Sequence, residues 1–301
     1  SSLTLAKALP KQNFDGDFRI VPLLSSAVRS GNQSFALVIA DDREDQLNHV
    51  NRLQALGFSI VGSGASVREV TSAINDSTGV DLIVVQRTSA SQMQDVVEQL
   101  QQIAKTAVAP LLLLATGVDR PALTAEYRSH PRISVVRAGI GDEVLSSVIE
   151  DLLNRAAGGR MTEAEAEIYA IESMSALRDI AISNNEVFNI SDALPALRDA
   201  LDTRYGGTRL LIADILALMP DHQAQRKLFD ASLVNDDEQQ IDLLERVAAS
   251  VKQYGNMAEP RHIDALVDLI MNSDGDIAEA AARVHGALNL PATTAVQLIP
   301  R

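Results

Sequence analysis

Apolar residues along this chain keep two different periods, and the change between them divides it. From Phe18 to Val28 the apolar positions Ile20, Leu23, Leu24, Ala27 and Val28 follow the spacing of one helix face, after a turn signal at Phe14-Asp-Gly-Asp17. From Phe35 the pattern becomes short continuous runs: Phe35–Ala40, Phe58–Val61, Val80–Val85, Pro110–Leu114 and Ile133–Val136. Between them lie stretches with one apolar face, such as Leu47, Val50, Leu53 and Leu56 before the C-capping Gly57, then Val67–Ile74, Met93–Ile103 and Asp142–Leu153. Strands buried on both faces read as unbroken apolar runs, so five of them alternating with amphipathic helices predict a parallel five-stranded sheet covered on both sides.

After Gly158-Gly159 the strand signals fade. Thr162-x-x-Glu165 is a capping box opening a long helix to about Ile182. Further helices are predicted at roughly 190–202, 206–219, 221–234, 236–254, 260–272, 275–288 and 291–298, with breaks at Gly206-Gly207, Pro220, Asn235-Asp-Asp237, Gly255-Asn256, Ser273-Asp-Gly275 and Pro291. They repeat. Ala196-Leu197-x-Asp199 and Ala213-x-Ile215 recur 69 residues later as Ala265-Leu266-x-Asp268 and Ala282-x-Val284, and Leu228-Phe-Asp230-Ala231 is a looser copy between them. The spacing suits helical hairpins of about 35 residues. Val21-Pro-Leu-Leu24 also looks like Leu194-Pro-Ala-Leu197, which makes the α/β part either an insertion in the helical array or the successor of repeats further upstream. Chance likeness among short Leu/Ala helices is the plainer alternative.

Composition narrows the function. The 301 residues are 46% hydrophobic, only 3% aromatic and free of Trp, so Ala, Leu, Ile and Val must fill the cores. A net charge of −14 works against nucleic acid and anionic membranes, whose ligands are placed cations, and no long Lys/Arg run offsets it. Without cysteine there is no disulfide, thiolate metal site or Cys nucleophile. The longest apolar run, Ala107–Ala115, is far short of the ~20 residues of a membrane span. The first residue is Ser rather than Met, read here as a processed or shortened N-terminus; the compartment stays open, with the cytoplasm as the default.

The α/β part, over about residues 35–155, resembles the receiver domain of response regulators. Val38-Ile-Ala-Asp41-Asp42 looks like the family's first strand, whose acidic pair helps hold Mg²⁺. Val80-Asp81-Leu-Ile-Val-Val-Gln86 looks like its third strand, but Gln86 stands where the family has the phosphate-accepting Asp. Ala115 stands where the family has Ser or Thr, with Thr116 one residue on, and Arg137 stands in place of Lys. Phosphoryl transfer to a receiver needs an attacking carboxylate and anionic oxygens for the metal. A Gln amide supplies neither. The resemblance therefore implies the fold and argues against the chemistry, leaving Asp41, Asp42, Gln86, Ala115 and Arg137 as a vestigial site. Asp41 and Asp42 remain candidates for a residual metal or small ligand, against the plainer reading of an acidic pair at a helix start.

Weaker signals do not change this. Gly62-Ser-Gly64 follows the second strand, whereas a dinucleotide loop belongs after the first. His49, His130, His222, His262 and His285 form no ligand pair on one helix face, and there is no Gly-x-Ser-x-Gly elbow. Asn235-Asp-Asp-Glu238 reads as a solvated helix start or as part of an acidic face for a basic partner. The helical part resembles HEAT-type repeats, which stack into walls that bind proteins. The expected organisation is an N-terminal helical segment (1–34) able to pack on the repeats, a receiver-like α/β domain (35–156) and an all-α HEAT-like domain (157–301). The expected function is a non-catalytic scaffold or adaptor without cofactor or metal, binding protein partners or its own copies, and not nucleic acid or membrane. The alternatives are a switch sensing a metal or ligand at Asp41-Asp42, and an enzyme whose site the sequence does not reveal.

Overall fold

The computed structural model describes residues 2–29, 34–157, 162–234, 237–273 and 275–290. The chain forms two compact units, Phe14–Tyr169 and the combination of Ser1–Asn13 with Ala170–Arg301. The N-terminal segment is shared between them. Helix α1 (Ser2–Ala8) groups with the helical unit, where Lys7 pairs with Glu172 at 3.1 Å. Helix α2 (Ile20–Val28) groups with the α/β unit, despite its likeness in sequence to a helix of the other.

The α/β unit alternates β1 (Ser34–Ala40), α3 (Arg43–Ala55), β2 (Phe58–Gly64), α4 (Val67–Asp76), β3 (Leu82–Gln86), α5 (Ala90–Gln101), β4 (Leu111–Ala115), α6 (Arg120–Tyr127), β5 (Ile133–Arg137) and α7 (Asp142–Ala157). All five strands are parallel in the order β2-β1-β3-β4-β5, the doubly wound order of flavodoxin-like folds. Side chains of odd and even parity feed separate cores. Leu37, Ile39, Ile83, Val85, Leu111 and Leu113 pack under α4, α5 and α6, while Ala36, Val38, Leu82, Val84, Leu112 and Leu114 pack under α3 and α7. This two-sided burial is why the strands read as unbroken apolar runs.

The glycines of Gly62-Ser-Gly64 lie within β2, where a Cβ on Gly62 would stand 3.2 Å from the Ala73 Cβ and one on Gly64 3.0 Å from the Glu69 Cβ. They let α4 pack close to the strand.

Helix α8 (Glu163–Ser183) starts at the expected capping box: Glu165 N donates to Thr162 Oγ1 at 3.2 Å, and Thr162 N donates to Glu165 Oε2 at 2.9 Å. Then follow α9 (Leu194–Thr203), α10 (Gly206–Ala217), α11 (His222–Ser232), α12 (Gln240–Tyr254), α13 (Pro260–Asn272) and α14 (Asp276–Ala287). They pack as consecutive pairs, with α10 on α12 and α12 on α14. Leu197, Leu228 and Leu266, at matching places in α9, α11 and α13, are all fully buried. The match weakens elsewhere: Ile215 and Val284 are buried alike, whereas Ala213 is buried and Ala282 exposed. The helix expected at 291–298 lies outside the described residues, as do Gly158-Gly159, Asn235-Asp236 and Asp274. No helix among the described residues is long and apolar enough to cross a membrane.

Candidate functional site at the carboxyl edge of the sheet

Parallel strands bring their carboxyl ends to one edge, and the register gathers the residues singled out above. Ala40, just before Asp41-Asp42, pairs with Gln86, and Ala115 pairs with Arg137. Ala115 is fully buried in the core beneath α4, α5 and α6. Arg137 is exposed at the end of β5 and makes no ion pair to Asp41 or Asp42 among the described residues. Thr116 donates from Oγ1 to Asp119 Oδ2 at 2.8 Å, at the start of α6.

The two acidic residues do different things. Asp42 is the N-cap of α3 and accepts from Asp45 N at 2.9 Å, so its charge faces the positive end of the helix. Asp41 already holds a cation: Arg87 Nη1 lies 2.9 Å from Asp41 Oδ1, and Thr88 N donates to Asp41 Oδ2 at 2.7 Å. The same guanidinium donates to the Ala65 carbonyl after β2 and is largely buried. A fixed side chain of this protein thus satisfies the carboxylate with both charge and directed hydrogen bonds.

Gln86 turns toward α3 and joins two of its residues. Its Nε2 donates to Asp45 Oδ2, and its Oε1 lies 2.8 Å from His49 Nε2. A carboxylate only accepts, which fixes the amide orientation; the amide oxygen then requires His49 to carry its proton on Nε2. Burial and the neighbouring Asp42 carboxylate push the Asp45 carboxyl above its ordinary value. Burial pushes the His49 imidazole below its ordinary 6.5. The site is an internally bonded knot in which Asp41 is paired to Arg87 while Asp42 and Asp45 accept from a backbone N–H and the Gln86 amide. Among the described residues no three His, Asp or Glu side chains form a group that could hold a metal ion.

Asp45, His49, Arg87 and Thr88 escape a reading by strand ends. One local signal was available: Asp45 and His49 are four apart on a helix that begins beside the sheet edge, so they share a face. Arg87 carries no such signal, because its partners stand 46 and 22 residues away.

The shift at His49 has a consequence in solution. A base such as His49, whose folded pKa is depressed, is charged more readily in the unfolded chain, so its contribution is complete above about 6.5 and lost as pH falls toward the folded value. His130 shifts the same way, also through burial. The raised pKa of Asp45 acts oppositely and lower, favouring the folded state as pH falls toward 3.8. Urea titrations are expected to show wild-type stability declining from pH 7 to 5.5, and a flatter profile in His49→Gln. An unchanged slope in that variant would remove His49 as its source.

Neither protein-family models, nor curated proteins, nor solved structures give a match to this chain.

Proposed function

We propose that this protein is a non-catalytic interaction scaffold, in which a pseudo-receiver domain lacking a phosphate acceptor accompanies a HEAT-like array of helical hairpins. The observation that carries the reading is the Arg87–Asp41 pair beside the Gln86 bridge between Asp45 and His49. A receiver works by collecting Mg²⁺ on its acidic pair and a phosphoryl group on a carboxylate between them. Here the Asp41 carboxylate bonds to a guanidinium, the Asp42 carboxylate caps a helix, and the third-strand position holds an amide whose hydrogen-bonding groups are both in use. A metal would have to displace Arg87 from Asp41 and compete with the hydrogen bonds that Asp42 and Asp45 already accept. Paired hairpins burying matching leucines support the repeat reading, since each hairpin needs a neighbour to cover its apolar face.

Calorimetric titration of the full chain with Mg²⁺ and then beryllofluoride is expected to give no saturable heat at millimolar Mg²⁺. Mg²⁺-dependent beryllofluoride binding, lost in Asp42→Ala, would establish a working switch and end the pseudo-receiver reading. Turnover by the purified chain that one side-chain substitution abolishes would end the scaffold reading.

A further inference from the structure

The third hairpin departs from the first in one respect that points to a ligand. In α9, Ala196 and Ala200 are covered by the rest of the helical unit, with 1% and 0% of their surface exposed. Their counterparts 69 residues later, Ala265 and Leu269 in α13, are only partly covered and line a groove of about 550 Å³. Helix α13 meets α11 at its first turn, where His262 and Arg261 reach Asp230 at 3.0 and 2.7 Å. Leu233, the C-cap of α11, lines the groove together with Leu269 and Ile277. The volume lies in the range of roughly 300–1,000 Å³ that ligand sites occupy.

The polar lining is acidic and amide-like. It includes Asp237, Asp268 and Asn272 and, among the described residues, no Lys or Arg. Asp237 is held by Arg209 at 2.6 Å, but Asp268 has no partner among the described residues. In the looser middle copy of the repeat the matching residue is Asp230, which pairs with the Arg261 guanidinium and hydrogen-bonds to His262, both in α13. Asp268 thus repeats an acid that elsewhere in the array receives a basic side chain. Asp264, one turn earlier, is exposed as well.

We infer that this groove receives a basic amphipathic segment of a partner protein, setting apolar residues against Leu233, Leu269 and Ile277 and a Lys or Arg against Asp268. The inference rests on the scaffold reading and gives its partner a chemistry. Apolar contact would supply most of the affinity, and the charge would supply orientation and salt dependence.

The test uses the full chain and a labelled amphipathic helix of leucine and lysine, followed by fluorescence anisotropy. Asp268→Lys, a surface change, and Leu269→Glu are each expected to weaken binding about tenfold, while the remote control Asp151→Lys leaves it within about twofold. Thermal melting checks that each variant folds, and Asp268→Asn, expected to weaken binding by a few-fold, replaces any variant that does not. Equal weakening by Asp268→Lys and Asp151→Lys would mean general attraction to an acidic protein and overturn the groove. So would no weakening by either groove variant, or displacement of the peptide by spermidine at matched charge, which would make the site one for small cations. None of these results touches the scaffold reading, which falls to turnover instead.

Discussion

Asp81→Ala is expected to destabilise the α/β unit by about 3–5 kcal/mol, more than any other single polar substitution considered for that unit. Asp81 stands just before β3 and binds the guanidinium of Arg29 in a fork, with Arg29 Nη1 at 2.9 Å from Oδ2 and Nη2 at 2.5 Å from Oδ1. The Oδ2 atom also accepts from Phe35 N at 2.8 Å, and Asp81 N donates to Phe35 O at 2.8 Å. The carboxylate therefore ties the end of α2, the start of β1 and the start of β3 together. Arg29 is only 11% exposed in its side chain and lies over the Phe35 ring, 5.3 Å from its centre. Alanine would leave a largely buried cation without its carboxylate and a strand-edge N–H without its acceptor, which is the costly way to break an ion pair. Asparagine keeps an acceptor for Phe35 and is expected to lose only about half as much. Because two units need not melt together, the readout is hydrogen exchange on peptides from β1 and β3 alongside urea unfolding. Protection in β1 unchanged by Asp81→Ala would mean that the fork does not hold these strands.

Asp81 also shows what the pattern of the sequence could and could not reveal. Its place at the head of the third strand was legible, because strands buried on both faces write themselves as apolar runs such as Leu82–Val85. Its partner was not, since Arg29 stands 52 residues away and pairing of that kind leaves no periodic mark. The edge of the sheet behaves the same way. Gln86, Ala115 and Arg137 could be placed at strand ends through the receiver resemblance, each one residue past an apolar run, and the register sets Gln86 beside Ala40 and Arg137 beside Ala115. That Arg87 would reach across to Asp41, or that Gln86 would join Asp45 to His49, depends on tertiary geometry. Helix α6 went unseen because only Leu123 of its eight residues is fully buried, too little to give an apolar stripe. In the helical unit the break positions were legible from Gly, Pro and Asn. The unequal burial of repeat positions was not, because Ala265 and Leu269 carry the same apolar character as the covered Ala196 and Ala200.

His262→Ala is the second large effect expected, about 3 kcal/mol off the helical unit. The imidazole is 2% exposed and does three jobs at the first turn of α13. Its Nδ1 accepts from Glu259 N at 3.0 Å, satisfying an N–H that helix geometry leaves without a partner. That bond fixes the tautomer, so Nε2 carries the proton and donates to Asp230 Oδ1 at 3.0 Å. The ring lies flat on Phe229, with centroids 5.1 Å apart and planes within 6°. Alanine removes the cap, about 1 kcal/mol by itself, and leaves a cavity against a fully buried Phe229. The Asp230–Arg261 pair is exposed, 40% and 61% in its side chains, so Asp230→Asn is expected to cost less than about 1 kcal/mol. The comparison separates the explanations: if the two variants melt alike in urea, the ion pair and not the buried ring holds α13 to α11. The groove is lined by residues of the same two helices, Leu233 capping α11 and Leu269 in α13. Loosening the first turn of α13 should therefore also weaken the leucine–lysine peptide, under conditions where the variant remains folded. Peptide affinity unchanged in a folded His262→Ala protein would mean that the groove does not depend on this anchor.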